Sequence, residues 1–353
     1  MTEWVVSESI PRIGNVEKPL GYTAFRLVVA CPLRFAFSVD MRFPQKTSPQ
    51  ARIGTAFHDT LAFITTEKNA TLEAAIDHFG DALRQQRDKA VANYRERRLP
   101  WPKKLIEVME NTIALRMSER PTSVRTGRRQ YVESTLLSPD GLLIGRPDHI
   151  ILSGTNPIIV DYKSGSLDPD ALHSYEDQIH FYASLWNEIH GTVVKTGRIE
   201  FLLENYTHEF TIDPSRSRLL MSEARVISSR LREGVLLFQS KIGEHCGLCE
   251  YRPWCTDYWS ARDRFDVASA ADIEGDICAL HSHDTQSLCV KNRDRHLLVI
   301  NKDTSPFPAW PSGARVRIVD LYLGDTVGYR TAYSEIYRVS SEGDDAANRA
   351  SSR

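Results

Sequence analysis

The chain has 353 residues, 41% of them hydrophobic and 25% charged, which is typical of a globular protein long enough for two or three domains. The first residues show no basic stretch followed by an apolar one, and no run approaches the roughly 18 apolar residues of a membrane span. We therefore expect a soluble, cytoplasmic protein. Six cysteines are too few for a disulfide-stapled fold, so clustered cysteines are expected to be ligands.

The net charge of -2 hides a basic stretch between Arg84 and Arg129, which contains 13 Lys or Arg and 5 Asp or Glu. Such a stretch is often only a solvated helical face. It is also what a phosphate-binding surface requires, and Trp101 and Tyr94 could add base stacking to it. The sequence leaves both interpretations open.

Apolar residues at three-to-four spacing predict helices over residues 51–65, 71–95 and 103–118. From 130 to 162 the period changes to that of strands, with turn residues between them, which predicts a β-meander. A helix over 173–190, a strand pair within 197–212 and a helix over 214–234 follow, and Asp213 is the expected N-cap of the last helix.

Short β runs with regular turns predict an OB-like barrel over residues 266–340, after an N-terminal extension (1–19) and an α/β domain (20–260). The tail 341–353 is expected to be disordered because it has few apolar residues to bury. The barrel could bind single strands through Tyr322, Tyr329 and Tyr333, or dock to a helicase or another partner. No phosphate loop of the G-x-x-x-x-G-K-[ST] type is present, so ATP hydrolysis is not indicated.

Two carboxylates and a lysine suggest metal-dependent chemistry. Asp148 lies in the predicted strand LIGRPDHII, and Asp161 lies in the next one, where adjacent antiparallel strands can bring both to one ion. Lys163 shares a face with Asp161 because side chains alternate along a strand. Carboxylate-held Mg²⁺ serves phosphodiester hydrolysis. An isolated D-x-K is more often a surface ion pair.

Several short motifs together resemble a known family. GRPDHI and VDYKSG are similar to the core of PD-(D/E)XK nucleases of the RecB and AddB kind and of the CRISPR-adaptation nucleases. GTAFHDTL resembles their G-x-x-x-H-x-x-L helix, QIHFY their Q-x-x-x-Y helix, and CPLRF the context of their first cluster cysteine. The resemblance covers residues 21–256 and implies a restriction-endonuclease-like core, with a mixed central sheet flanked by helices.

The resemblance also implies roles for individual residues. It gives Mg²⁺ or Mn²⁺ four ligands, His58, Asp148, Asp161 and the backbone carbonyl of Tyr162. Lys163 would assist the attacking water, and Gln178 and Tyr182 would line the DNA beside the metal. Alone, His58 is an ordinary histidine, and Gln178 with Tyr182 is merely part of an amphipathic helix. Glu133 is an additional acidic candidate.

Cys246, Cys249 and Cys255 form C-x2-C-x5-C, a spacing that places three thiolates around one metal centre. Spacing alone makes zinc the default, with His245 as a local fourth ligand. The resemblance instead implies a [4Fe-4S] cluster with Cys31 as the fourth ligand. Such a clasp would join distant parts of the chain and matter more for folding than for chemistry. Cys278 and Cys289 lie in predicted strands, where small buried apolar side chains are expected.

These observations predict a metal-dependent DNA nuclease, trimming ends or single-stranded segments in repair, recombination or defence. Two alternatives remain. One is another enzyme, a CRISPR-adaptation nuclease that trims spacers, and the other is a non-catalytic DNA-end-binding or helicase-accessory protein. A zinc-stabilised structural module is a third. The joint presence of His58, Asp148, Asp161 and Lys163 argues against an inactive relative.

Overall fold

A computed structural model describes residues 5–6, 11, 13–67, 69–118, 130–153, 156–165, 167–261, 272–280, 287–292, 295–303, 306–308, 310–324 and 327–340. Eight α-helices are found within these ranges. They are α1 (Tyr22–Ala30), α2 (Pro32–Val39), α3 (Pro49–Thr66), α4 (Leu72–Ala92), α5 (Lys103–Ser118), α6 (Pro169–His190), α7 (Pro214–Arg232) and α8 (Thr256–Ala261). Within the same ranges, no helix is long and apolar enough to cross a membrane.

The helix ends follow from local sequence signals. Ser48 and Thr71 cap α3 and α4 by accepting hydrogen bonds from backbone N–H groups three residues later. Asp213 caps α7 as predicted, accepting from the N–H of Ser215. α6 ends at Gly191, whose φ of 64° is the left-handed conformation that glycine adopts without strain. The predicted helices over 51–65, 71–95, 103–118, 173–190 and 214–234 are thus confirmed to within a few residues.

The strands form three sheets. They are β1 (Val5–Val6), β2 (Leu20–Gly21), β3 (Gln130–Val132), β4 (Leu136–Leu137), β5 (Leu143–Gly145), β6 (His149–Ser153), β7 (Asn156–Lys163), β8 (Thr196–Phe201), β9 (Tyr206–Thr211), β10 (Ile273–Leu280), β11 (Ser287–Asn292), β12 (Arg295–Asn301), β13 (Arg315–Val319), β14 (Tyr322–Leu323), β15 (Val327–Arg330) and β16 (Glu335–Val339).

The central sheet is mixed, with the order β3-β6-β7-β8-β9. β6 pairs antiparallel with β7, whereas β7 pairs parallel with β8, and α6 makes the crossover that a parallel pair requires. α6 and α7 pack on one apolar core with this sheet, and α3, α4 and α5 build a second core around Phe57 and Phe79. The chain therefore has the mixed α/β architecture expected from its sequence.

The predicted meander over 130–162 is only partly correct. β5 is not part of the central sheet but pairs with β2 and β4 in a small separate sheet. The strand break covers Arg146 to Asp148, so Asp148 precedes β6 rather than lying inside a strand. Pro147 explains the break, since proline cannot donate a ladder hydrogen bond.

The C-terminal strands form an eight-stranded sheet with the order β1-β16-β13-β10-β11-β12-β15-β14. Its first strand comes from the N-terminal end of the chain, where Val6 pairs with Val339. The predicted β runs are confirmed, whereas the OB-like identity and the domain limits at 266 and 340 remain predictions. The predicted disordered tail, 341–353, lies outside the described residues.

Cys278 and Cys289 were expected to be separate small apolar side chains, and this expectation is wrong. They form a disulfide, with Cα atoms 5.6 Å apart. The reason lies in the pairing of β10 with β11, which shifts register between Ile277 and Ala279. This bulge turns Cys278 toward Cys289 on the neighbouring strand.

Candidate metal centre and its surroundings

Three side chains from separate elements form a group that could hold a metal ion. His58 comes from α3, Glu133 directly follows β3, and Asp148 directly precedes β6, and each offers one ligand atom within 4.8 Å of the others. The imidazole Nδ1 of His58 lies 3.3 Å from Oδ1 of Asp148. The two carboxylates are ligands that suit Mg²⁺ and Mn²⁺. We refer to His58, Glu133 and Asp148 as the metal group.

Close packing brings α3 to the end of β7. A Cβ at Gly54 would lie 2.5 Å from Oγ of Ser164, so a side chain there would have to displace the Ser164 hydroxyl. His58 lies one turn further along α3 and reaches Asp148 because of this close approach. The glycine and the histidine of the G-x-x-x-H motif thus have linked physical roles.

Backbone contacts fix Asp148 and Glu133. The N–H of Tyr162 donates to Oδ2 of Asp148 at 2.7 Å, and the N–H of Glu133 donates to the carbonyl of Asp148 at 3.0 Å. Glu133 has a φ of 50°, a conformation that a residue with a Cβ rarely adopts and that is often found at functional sites. The Glu133 carboxylate is also bound by Nε of Arg146 at 2.7 Å.

Asp161, Lys163, Gln178 and Tyr182 form a chain of polar contacts beside the metal group. The Lys163 ammonium lies 2.7 Å from Oδ2 of Asp161 and donates to Oε1 of Gln178 at 3.1 Å. Nε2 of Gln178 donates to the Tyr182 hydroxyl at 2.9 Å. The structure therefore shows both predicted shared faces, that of Asp161 with Lys163 on β7 and that of Gln178 with Tyr182 on α6.

Burial and neighbouring charges shift the pKa values of these groups. Burial raises the pKa of the Asp161 carboxyl, and the Lys163 ammonium only partly offsets this effect. Burial also lowers the pKa of the His58 imidazole, but the hydrogen bond and the charge of Asp148 outweigh it, so the net shift is upward. The Glu133 pKa is raised, chiefly by burial. Carboxylates crowded in this way favour a cation among them.

The structure thus brings His58 and Asp148 together, as expected, and adds Glu133. Asp161 lies outside the metal group and contacts Lys163 instead. Tyr162 contacts the site through its N–H, and its hydroxyl lies 3.1 Å from Nδ1 of the buried His149. Glu133 has no sequence signal beyond an acidic residue upstream of the core motif.

The four predicted cluster cysteines line one pocket. Cys31 lies between α1 and α2, and Cys246, Cys249 and Cys255 lie on two short 3₁₀ turns, all with free thiols. Burial raises the pKa of Cys249 to about 11 and that of Cys255 to about 12. These thiols are therefore neutral unless a metal displaces their protons. His245 lines the same pocket.

The basic stretch divides into buried and exposed parts. Arg95 is 4% exposed and forms an ion pair with Glu335, and Arg98 pairs with Asp303, so neither is available to phosphates. The guanidinium of Arg87 lies over the Trp101 ring at 5.1 Å. Residues 119–129 of the stretch lie outside the described residues.

A mixed sheet with a crossover helix and an acidic metal group at the sheet edge defines an α/β protein suited to metal-assisted chemistry. The chain belongs to the PD-(D/E)XK nuclease superfamily, whose family model matches residues 19–256. Membership in this superfamily implies phosphodiester hydrolysis as the chemistry.

Two solved structures are similar at low identity. A proposed exonuclease from Eubacterium rectale matches with 12% identity and a TM-score of 0.42, covering 66% of this chain and 86% of that one. LHK-Exo in complex with dAMP matches with 11% identity and a TM-score of 0.24, covering 53% of this chain and 92% of that one. No curated protein matches the chain.

Proposed function

We propose that the protein is a Mg²⁺- or Mn²⁺-dependent deoxyribonuclease of the RecB-like type, acting on DNA ends or single-stranded segments in repair, recombination or defence. The observation that carries the proposal is the metal group standing beside the Asp161–Lys163 ion pair. Superfamily membership supports the same chemistry. The hydrogen-bonded Gln178 and Tyr182 on α6 support the RecB-like assignment.

The metal would be held by His58 and Asp148, with Glu133 at the same group and with Asp161 and the Tyr162 carbonyl as further proposed ligands. When bound, a divalent ion lowers the pKa of its water and neutralises charge that develops on the phosphate. The residues present fit such an ion because the carboxylates of Glu133 and Asp148 lie around one point, with the imidazole of His58 beside them.

Lys163 would orient the attacking water and stabilise negative charge on the phosphate. Its ammonium is held between Asp161 and Gln178 and lies 4.3 Å from the centre of the Tyr175 ring, so few conformations are open to it. Tyr182 would in turn fix Gln178. Such preorganised charge is usually the largest contribution that an enzyme makes to the rate.

The test is degradation of end-labelled single- and double-stranded DNA by anaerobically purified protein with Mg²⁺ or Mn²⁺. Wild type should cleave, and Asp161→Ala and Lys163→Ala should each lose at least about a hundredfold in rate. Asp88→Ala and Lys103→Ala, at exposed positions on α4 and α5, should leave the rate unchanged. Absence of cleavage by wild type that is replete in iron would favour the DNA-end-binding alternative.

We also propose that Cys31, Cys246, Cys249 and Cys255 hold a [4Fe-4S] cluster. Four free thiols lining one pocket support it, since thiolates are the ligands of such clusters. The cluster would join α1 and α2 to a turn more than 200 residues later in the sequence. Iron, sulfide and zinc content of the anaerobic protein tests this: about four irons and four sulfides per chain support the cluster, and one zinc without iron contradicts it.

The C-terminal strands are proposed to form an OB-like barrel over residues 266–340 that binds single strands or docks a helicase. Tyr322 and Tyr333 support strand binding because their side chains are largely exposed. Crosslinking of bromouracil-containing single strands, with Tyr322→Ala as the variant, tests this role. Equal crosslinking of the barrel in both proteins would contradict it.

A further inference from the structure

A cavity opens between α3 and α4 next to the metal group. Its volume is about 550 Å³, and His58 and Glu133 form one part of its wall. The rest of the wall comes from the exposed sides of the two helices and from the segments beside β7 and β5. The remaining lining side chains that matter here are Thr55, Asp59, Gln85, Gln86, Lys89 and Arg146. We refer to this space as the α3–α4 cavity.

The two helices run in opposite directions along the cavity. Arg52 near the start of α3 donates to Gln86 toward the end of α4, and Thr60 on α3 lies 3.4 Å from His78 on α4. His58 therefore lies at one end of the cavity and Lys89 at the other. Since an α-helix rises 1.5 Å per residue, residues 51 to 59 span about 12 Å, which is long enough for about two consecutive phosphates of one strand.

Two hydrogen-bond donors, Lys89 and Gln85, lie at the end of the cavity away from the metal group, and a third, Arg146, lies beside Glu133. The Lys89 ammonium and the Gln85 amide have no hydrogen-bond or ion-pair partner within the described part of the chain, and both side chains are exposed. Arg146 uses Nε to bind Glu133, and its side chain is 65% exposed, which leaves the outer part of its guanidinium accessible. Lysine, arginine and glutamine side chains are the usual partners of phosphate oxygens.

The acidic residues of the cavity lie at the opposite end. Glu133 belongs to the metal group, and Asp59 follows His58 directly on α3. A phosphate at that end would meet carboxylates as well as Arg146 and would need a bound cation. A phosphate near Lys89 would meet an ammonium and amide groups, with no carboxylate among the described residues that line the cavity there. This division of charge matches a strand whose scissile phosphate lies at the metal and whose neighbouring phosphates continue toward Lys89.

The size of the cavity indicates one strand rather than two. A volume of about 550 Å³ is that of a site for one small organic ligand, on the order of one or two nucleotides. Small residues, Ala51 and Gly54 on α3 and Ala82 on α4, line the cavity and let a backbone approach closely. A duplex would have to stay outside.

We propose that the α3–α4 cavity is a subsite for the single DNA strand next to the scissile phosphate, with Lys89 as its main phosphate contact and Gln85 as a second. The inference rests on the proposed nuclease function and adds the path of the strand along α3 and α4. Arg146, between this path and Glu133, lies where it can contact the phosphate nearest the metal.

The test is equilibrium binding of fluorescein-labelled oligodeoxythymidylate, measured by anisotropy with Ca²⁺ in place of Mg²⁺. Lys89→Ala should weaken binding about fivefold or more and reduce the slope of log K against log salt concentration by about 0.7, the loss of one phosphate contact on a single strand. Lys89→Arg should restore most of the affinity. Lys195→Ala, an exposed lysine outside both the cavity and the basic stretch Arg84–Arg129, is the matched control and should change neither quantity.

Cleavage separates this inference from the function on which it rests. With Mg²⁺, Lys89→Ala should raise KM for single strands and leave kcat near that of wild type, because Lys89 lies away from the metal group. Suppose that wild type cleaves, that Asp161→Ala does not, and that Lys89→Ala binds the single strand as tightly as wild type. The nuclease function would then stand, and the subsite would be overturned. If Lys89→Ala lost the same fraction of kcat/KM on blunt duplex as on single strands, the single-strand assignment would be overturned.

Discussion

Glu133 is the residue whose role is clearest from three-dimensional contacts. Its carboxylate completes the metal group, and its backbone keeps a φ of 50° to place it there. We predict that Glu133→Gln raises the Mg²⁺ or Mn²⁺ concentration for half-maximal activity at least about tenfold, because an amide is a weaker ligand than a carboxylate. Manganese titration followed by electron paramagnetic resonance measures the affinity directly. Glu107→Gln, at an exposed position on α5 outside the cavity, is the control and should bind manganese like wild type.

Gln178 is predicted to act by positioning Lys163 rather than by contacting the metal. Its Oε1 accepts from the Lys163 ammonium, and its Nε2 donates to Tyr182. Gln178→Ala should lower kcat about tenfold to a hundredfold with a small change in KM, because a displaced charge stabilises the reacting phosphate less. Tyr182→Phe keeps the Lys163 contact and should cost less. If Gln178→Ala changed only KM, Gln178 would instead be a substrate contact.

Sequence reasoning reached Asp148, Asp161 and Lys163 from the strand pattern. The contact between Asp161 and Lys163 agrees with strand periodicity. Asp148, however, precedes β6, and Asp161 lies outside the metal group. Sequence reasoning needed the family resemblance to find His58, since one histidine on a helix carries no signal of its own. Glu133 could not be placed because its position depends on a left-handed backbone at the end of β3. Such a conformation is set by tertiary contacts with Asp148 and Arg146, which periodicity does not encode.

At the scale of elements, helices with a clear period and a capping residue were predictable, as α7 with Asp213 shows. α1 and α2 were not predicted, because the segment Tyr22–Val39 is interrupted by Pro32 and is short on each side. The sequence also did not predict that β5 pairs in a second sheet, because a strand pattern indicates a strand but not its partner.

The turn that carries three cysteines is fastened to the C-terminal sheet by Arg252. This guanidinium is 5% exposed, lies 2.9 Å from Asp272 and 2.6 Å from Asp320, and also donates to the carbonyl of Gly247. We predict that Arg252→Ala lowers the free energy of unfolding by about 3–5 kcal/mol, because it leaves the buried Asp272 carboxylate without its cationic partner. Chemical denaturation of the anaerobic protein measures this loss.

The same substitution should speed the loss of iron from the proposed cluster under a chelator, because Arg252 lies between Cys249 and Cys255. Arg225→Ala removes exposed ion pairs with Asp140 and Glu188 and is the matched control, with an expected cost of at most about 1 kcal/mol. Equal stability and equal iron retention of the two variants would show that the turn is held without Arg252.

At the scale of the whole molecule, the N-terminal end, the cysteine turn and the C-terminal sheet share one apolar cluster. Val6 of β1, Trp254 of the cysteine turn and Tyr337 of β16 belong to it, and the rings of Trp254 and Tyr337 lie 5.2 Å apart. Arg95 crosses the same region, donating to Glu335 on β16 and to the carbonyl of Glu250. The C-terminal sheet is therefore packed against the part of the chain that carries the proposed cluster.

Glu335 should make this contact sensitive to pH. Burial raises the pKa of its carboxyl, but the charges of Arg95 and Lys46 outweigh burial and lower the pKa below the usual 4.5. A carboxyl whose pKa is lower in the folded state stabilises the fold above its unfolded pKa, and this contribution disappears as the pH falls through the folded pKa. Wild type should therefore exceed Glu335→Gln in stability at neutral pH by an amount that shrinks in acid.

Urea unfolding of both proteins between about pH 3 and pH 7 measures that difference. Glu209→Gln provides the control, because the Glu209 side chain is 54% exposed and its ion pair with Arg198 lies at the surface. Its stability should follow that of wild type across the range. The stability difference between wild type and Glu335→Gln could instead stay constant from neutral to acidic pH. That result would mean that packing and hydrogen bonding hold β16 against Arg95, and that the charge of Glu335 does not contribute.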